Sequence, residues 1–192
     1  NCPYWHGVFG GLYLRHIRRA TNANLVRAER LADEASGRAG VRVTAADVDF
    51  DGQEEVLLQT PAISVLLHPE SGGMISELDV RRRDVALLDV LARRWEPYHE
   101  GLAQAPGSED SGDGTNIHGH VRVKEAGLAS ALVFDRHRRG GMQEWLLAED
   151  ATVGQFARGD AVTSFEPEGA WESTLTEGAD GVRISLSRDA GG

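Results

Sequence analysis

The residues with the clearest chemical pattern lie between positions 47 and 55. Asp47-Val48-Asp49-Phe50-Asp51-Gly52-Gln53-Glu54-Glu55 spells D-x-D-x-D-G-x-x-E. Alternate carboxylates around a sharp glycine turn suit a hard, oxygen-seeking cation such as calcium. Asp47, Asp49, Asp51 and Glu55 are the candidate ligands. An EF-hand would need its bidentate Glu at the twelfth loop position, which here is Leu58, so that version fails. A shorter calcium loop closing at Glu55 remains. The competing reading is a hairpin whose Asp-Gly turn serves backbone geometry, with the carboxylates in water. That reading takes the larger share, because no second cluster of oxygen ligands stands nearby.

A second constellation, Tyr4-Trp5-His6, opens the chain just before a Gly-rich turn. Aromatic planes pack against the C–H faces of sugar rings, and an imidazole hydrogen-bonds a hydroxyl, so the trio could line a carbohydrate subsite. Periodicity alone favours a plainer role, with Trp5 and Phe9 anchoring a helix in the core. His118 and His120 would share one face of a strand, but no third ligand stands at suitable spacing. Arg81-Arg82-Arg83 and Arg136-His137-Arg138-Arg139 stand out in an acidic chain. They read as solvated faces or salt-bridge partners, since only Gly140-Gly141 hints at a phosphate cradle. Serine-nucleophile and P-loop patterns are absent.

Composition removes several function classes. The 192 residues carry 20 Lys+Arg against 30 Asp+Glu, a net charge of −10. Such a balance repels a phosphate backbone, so nucleic acid and anionic membrane are not expected partners. No apolar run approaches the roughly 20 residues that span a bilayer, and no signal peptide opens the sequence. The single cysteine, Cys2, forms no internal disulfide and no multi-thiolate zinc site, which suits a reducing, cytoplasmic setting. The oligomeric state leaves no mark in the sequence.

These residues need elements to hold them. Residues 8–35 carry apolar positions near 3.6-residue spacing, with Arg15, Arg18, Arg19, Arg27 and Arg30 on the other faces. Thr21-Asn22-Ala23-Asn24 interrupts that run and predicts an N-cap for a second helix, ended near Gly37 and Gly40. From residue 41 the period changes to two. Strands are expected at 41–44, 55–59, 62–67 and 73–79, then at 121–123, 131–134 and 142–147, with a final hairpin from Trp171 to Leu186. Residues 84–103 mix a strand-like Val85–Leu88 with a helical turn around Tyr98-His99-Glu100. Short strands at this spacing predict an antiparallel β-sandwich preceded by a short helical segment. Val43, Val56, Leu58, Val65, Leu67, Ile75, Leu78, Val133, Phe134, Leu146 and Ile184 are its expected core. A chain that opens in a motif and ends in a strand reads as a segment of something longer.

The string Asn1-Cys2-Pro3-Tyr4-Trp5-His6-Gly7-Val8-Phe9-Gly10-Gly11-Leu12-Tyr13-Leu14 resembles the last characteristic motif of glycoside hydrolase family 57, the α-amylase and 4-α-glucanotransferase group. Stretches 49–56, 71–79, 89–99, 121–128 and 135–139 are similar to that family's C-terminal domain. Arg15 departs from the pattern, where proline would follow the Tyr-Leu pair. The resemblance implies that residues 1–36 are the helical end of a catalytic region. Residues 41–192 would then be a galactose-mutarotase-like C-terminal β-sandwich. It implies a retaining mechanism with a Glu nucleophile and an Asp acid/base, about 5–5.5 Å apart. Both would lie upstream of Asn1, leaving no catalytic residue in this chain. It also moves Tyr4, Trp5 and His6 to the rim of a substrate site.

The function expected from these readings is the C-terminal part of an enzyme acting on α-1,4-glucan, with no organic cofactor and with calcium as the one candidate ion. Its physical partner would be the upstream catalytic barrel of the same parent. The alternative is a non-catalytic carbohydrate-binding or structural sandwich, with Trp95, Tyr98, Trp145 and Trp171 as candidate glucan-gripping aromatics.

Overall fold

The computed structural model describes residues 14–97, 99–100, 130, 132–161, 169–178 and 181–189. The chain divides into two compact units. One comprises Asn1–Leu91, His137–Ala148 and Val162–Gly192, the other Ala92–Arg136 and Glu149–Ala161.

The first unit opens on helix α1, Arg15–Ala35. It runs unbroken through Thr21–Asn24, where the sequence predicts a cap. The reason is local: Thr21 Oγ1 donates to the Ile17 carbonyl at 3.1 Å and Asn24 Nδ2 to the Ala20 carbonyl at 2.9 Å. Both side chains bond back one turn within the helix instead of competing with it. The end falls where Gly37 predicts it. Gly37 takes φ +71°, its N–H bonds the Glu34 carbonyl, and the Arg38 N–H bonds the Asp33 carbonyl. That pair of bonds is a Schellman closure, which satisfies carbonyls the helix leaves open.

A five-stranded antiparallel sheet follows in simple sequential order: β1 Arg42–Ala46, β2 Glu55–Gln59, β3 Ile63–His68, β4 Met74–Val80 and β5 Val85–Ala86. A separate hairpin pairs β6 Glu172–Gly178 with β7 Gly181–Ser187. Antiparallel sheets preceded by a helix are the expected fold class. The ladder between β3 and β4 slips after Leu66↔Glu77, so that Leu67 faces Ile75 and Ser76 is the extra residue of a bulge.

Register assigns every side chain to a face, since directly opposed residues point the same way. One face carries the rows Val43–Leu58–Val65–Leu78 and Val56–Leu67–Ile75. These are the core positions that alternation predicts. Only Val56 and Leu67 are fully buried, and the others are half-buried. The opposite face carries Arg42–Gln59–Ser64–Asp79–Ala86 and Leu57–Leu66–Glu77, with Glu55, His68 and Met74 toward one end. Helix α1 packs against this polar face through Asp33, which both Arg42 and Arg81 engage. Buried charge therefore joins helix to sheet, which the binary pattern does not announce.

Two expectations change in the remainder. Residues 142–147 form no strand among the described residues, and Leu146 is 53% exposed rather than buried. Met142 adopts φ +58°, which breaks an extended run, and Gln143 folds back to bond the Gly140 N–H and the Arg138 carbonyl. Gly141 joins the sheet, exchanging two backbone bonds with Ile75, and Leu147 makes an isolated bridge. Val133, Phe134 and Ile184 are half-buried. The predicted strand at 121–123 lies outside the described residues.

In the second unit, residues 132–135 are irregular because Asp135 serves Arg93. Its carboxylate accepts from the Arg93 backbone N–H at 2.6 Å and from the Arg93 guanidinium. Val133 and Phe134 therefore sit beside a side-chain clamp rather than in a ladder. The expected short strand after residue 84 is β5, which belongs to the first unit. The helical turn includes His99, whose Nδ1 accepts the Glu96 N–H at 2.8 Å. Helix α2, Val153–Arg158, starts on a capping box in which Thr152 and Gln155 satisfy each other's backbone N–H groups, and ends at Gly159 with φ +76°.

Candidate functional site

The acidic motif forms the connection between β1 and β2. Asp47 closes it from within: its two carboxylate oxygens accept the N–H groups of Asp51 and Gly52, each at 3.1 Å. Asp51 accepts from Gln53 N–H at 2.9 Å. Phe50 at φ +62° and Gly52 at φ +90° provide the sharp reversal, and Phe50 stands 90% exposed at the tip. A carboxylate that holds backbone N–H groups organises the loop with no ion required.

The four candidate ligands fall into two groups that share Asp49. Carboxylate oxygens of Asp47, Asp49 and Asp51 lie within 4.8 Å of one another at the exposed loop. Glu55 is placed differently, with its ligand atom, that of Asp49 and a ring nitrogen of His68 forming the other group within 4.8 Å. Glu55 and His68 are 2% and 3% exposed. Glu55 Oε2 accepts the Val48 N–H at 2.7 Å, and its Oε1 lies 3.4 Å from His68 Nδ1. His68 Nε2 is 2.6 Å from Ser76 Oγ, the bulge residue. Arg138 reaches Asp49 at 3.4 Å from the polar rim.

Burial pushes the His68 imidazole below its usual value, and the nearby Arg138 adds to that, outweighing Glu55. His68 is therefore neutral near pH 7, with one nitrogen available as an acceptor. Motif spacing alone does not mark His68 as a site residue. The signal is the pairing of β2 with β3: Val56 faces Leu67, so Glu55 and His68, one residue further along each strand, meet on the other face of the sheet.

Tyr4, Trp5 and His6 lie outside the described residues, as do His118, His120 and Tyr98. Of the aromatics considered for carbohydrate contact, Trp95 is 56% exposed, while Trp145 and Trp171 are half-buried. Trp145 is engaged edge-on by His137 at 5.0 Å between ring centres. Trp171 lies against the Gly73 turn, where a Cβ would stand 2.8 Å from Leu186. No helix among the described residues is long and apolar enough to cross a membrane.

Similarity to known proteins covers almost the whole chain. Residues 47–191 match the family described as Alpha-amylase/4-alpha-glucanotransferase, C-terminal, and residues 1–32 match the middle domain of the same group. An alpha-amylase of Pyrococcus abyssi is 38% identical over 162 residues, which is 81% of this chain and 23% of that protein. A 4-alpha-glucanotransferase of Thermococcus kodakarensis is 35% identical over 196 residues, 98% of this chain and 27% of that protein. The crystal structure of 4-alpha-glucanotransferase from Thermococcus litoralis superposes with a TM-score of 0.71 at 28% identity, covering 96% of this chain and 26% of that one. The chain thus spans about a quarter of the length of these relatives. With three quarters of its residues under the C-terminal pattern, the chain belongs to the alpha-amylase/4-alpha-glucanotransferase family, as a carrier of that family's C-terminal domain.

Proposed function

We propose that this chain is the supporting, C-terminal portion of an enzyme that hydrolyses or transfers α-1,4-glucosyl units of starch-like or glycogen-like polymers in the cytoplasm. Residues 1–36 are the helical end of the catalytic region, and 41–192 are the sandwich that buttresses the barrel. Tyr4, Trp5 and His6 form one wall of the substrate site. The retaining Glu and Asp pair lies upstream of Asn1, so the chain alone is inactive. The observation that carries this reading is the family match over residues 47–191, with amylases and glucanotransferases alike among the relatives.

The test is the coding sequence immediately 5′ of the Asn1 codon. An in-frame upstream region encoding a Glu at one strand end and an Asp at a later one is expected. A stop codon directly upstream, with a start codon serving this chain alone, would overturn the reading.

In the same reading, the Asp47–Glu55 loop is first a structural turn and second a weak calcium site. Its support is the convergence of Asp47, Asp49 and Asp51, whose carboxylate oxygens lie within 4.8 Å of one another. Calcium would draw such oxygens to about 2.3–2.6 Å from one point and tighten a loop that its own hydrogen bonds already close.

A further inference from the structure

A cavity of about 530 Å³ lies between α1 and the polar face of the sheet, lined from β4 by Ser76, Glu77 and Asp79 and from α1 by Arg18, Asn22 and Glu29. That volume suits a small organic molecule and is far larger than a bare ion needs. Asp79 is 8% exposed. Among the described residues, no donor hydrogen-bonds or ion-pairs with its carboxyl group. A carboxyl that lines a cavity without a protein partner offers its oxygens to whatever enters, water or ligand.

The charges facing it are nearly all negative. Glu77 follows on the same strand face, and Glu29 projects from α1; both are exposed, at the opening of the cavity. Of the guanidiniums nearby, Arg18 holds Asp89 at 2.8 Å, Arg81 holds Asp33 at 2.5 Å, and Arg138, which acts on Glu77, reaches Asp49 at 3.4 Å. Burial raises the Asp79 carboxyl to about 6, and Glu77 and Glu29 add to the rise against the opposing pull of Arg81. An anionic ligand is excluded by this field. A metal ion is disfavoured, because these carboxylates do not converge as those of the β1–β2 loop do. Leu25, Val26 and Leu88 supply apolar wall between the acids.

We propose that this cavity binds a small organic cation, an alkylammonium or diamine, whose N–H groups bond Asp79 at the base and Glu77 and Glu29 at the opening. The methylene linker of the ligand packs on the apolar wall. Nothing in this depends on glucan chemistry, so it stands or falls apart from the proposed function.

Calorimetric titration of the full chain with 1,4-diaminobutane at pH 7.5, against matched ionic strength of sodium chloride, tests it. Saturable one-to-one binding is expected, weakened at least tenfold in Asp79→Asn, an isosteric change that leaves the helix and sheet contacts in place. Glu77→Gln, at the exposed opening, is expected to weaken binding severalfold and keeps the test decisive if Asp79→Asn does not fold. At pH 6 the diamine should displace a proton from Asp79, seen as a dependence of binding heat on buffer ionisation. Equal binding by wild type and both variants would mean diffuse counter-ion association with an acidic chain, and would overturn the proposal. So would Asp79-dependent binding of maltotriose without the diamine, which would make the ligand a neutral polyol, and so would no saturable binding at all.

Discussion

Asp33 in the last turn of α1 and Arg81 in the turn after β4 meet at 2.5 Å, 48 residues apart in sequence, with both side chains buried. Arg42 joins from β1, placing its NH2 at 2.9 and 2.8 Å from the two Asp33 oxygens and 2.6 Å from Gln59 Oε1. Arg81 also donates to the Thr60 carbonyl at 3.1 Å. One carboxylate thus ties the helix to β1, to the β2–β3 turn and to the end of β4.

Removing that carboxylate leaves two guanidiniums without their counter-ion, held only by the neutral acceptors Gln59 and Thr60. Asp33→Ala is expected to destabilise the chain by about 3 kcal/mol, the range seen when one partner of a buried pair is deleted. Arg42, with Arg81 beside it, holds the Asp33 carboxyl down at about 2 against an ordinary 3.8. The sign follows directly: its stabilisation is complete above 3.8 and is lost as pH falls through about 2. Urea titrations of wild type and variant between pH 2 and 6 check both points, and parallel curves at every pH would contradict them.

Asp79 gives the opposite dependence. Its carboxyl is raised by burial first and by Glu77 next, so the folded chain holds a proton that the unfolded chain releases between 3.8 and about 6. Its ionisation therefore weakens the fold above about 6, and the penalty is relieved as pH falls toward 3.8. Asp79→Asn is expected to stabilise the chain at pH 7.5 by on the order of 1–2 kcal/mol. That gain should shrink to near zero at pH 4. A variant less stable than wild type at pH 7.5 would show that the carboxylate is an anchor instead.

Among the described glycines of the first unit, Gly140 makes the tightest approach. A Cβ there would collide with Met74 Cγ and Sδ and lie 2.8 Å from the Ile75 carbonyl oxygen. Met74 is 0% exposed and has no room to retreat. Gly140→Ala is expected to lower stability by about 1–3 kcal/mol, the range for overpacking a close-packed site. An unchanged thermal midpoint would mean that the 138–143 segment lifts freely from the sheet.

Much of the sheet was legible because alternation is a strong local signal: Val56, Leu58, Val65 and Leu67 mark one face and Gly52 marks the turn before it. Helix α2 has a local signal too, since Thr152-Val153-Gly154-Gln155 carries a capping-box spacing ahead of Gly159. Residues 142–147 misled because Trp145, Leu146 and Leu147 look like strand, while the left-handed Met142 overrides them. The helix–sheet joint was hidden for a different reason. Asp33, Arg42 and Arg81 each resemble surface charges, and only their meeting in space makes them interior. The same holds for His68, which register with Glu55 brings to the candidate metal group.

For the β1–β2 loop, calcium is expected to raise the thermal midpoint by a few degrees, with a chelator reversing it and Asp49→Asn abolishing it. Asp49 is the informative position, because it belongs to both carboxylate groups. An unchanged midpoint in millimolar calcium would leave the loop as a turn held by its own hydrogen bonds through Asp47, Asp51 and Glu55.

Under the proposed function, this domain would support glucan chemistry without performing it. Retaining chemistry needs two carboxylates flanking one bond, one protonated and one ionised. The direct measurement is release of reducing sugar from amylose and maltooligosaccharides by the purified 192-residue chain at high concentration. No release above a blank is expected. Turnover that a single Asp or Glu substitution within residues 1–192 abolishes would contradict the account.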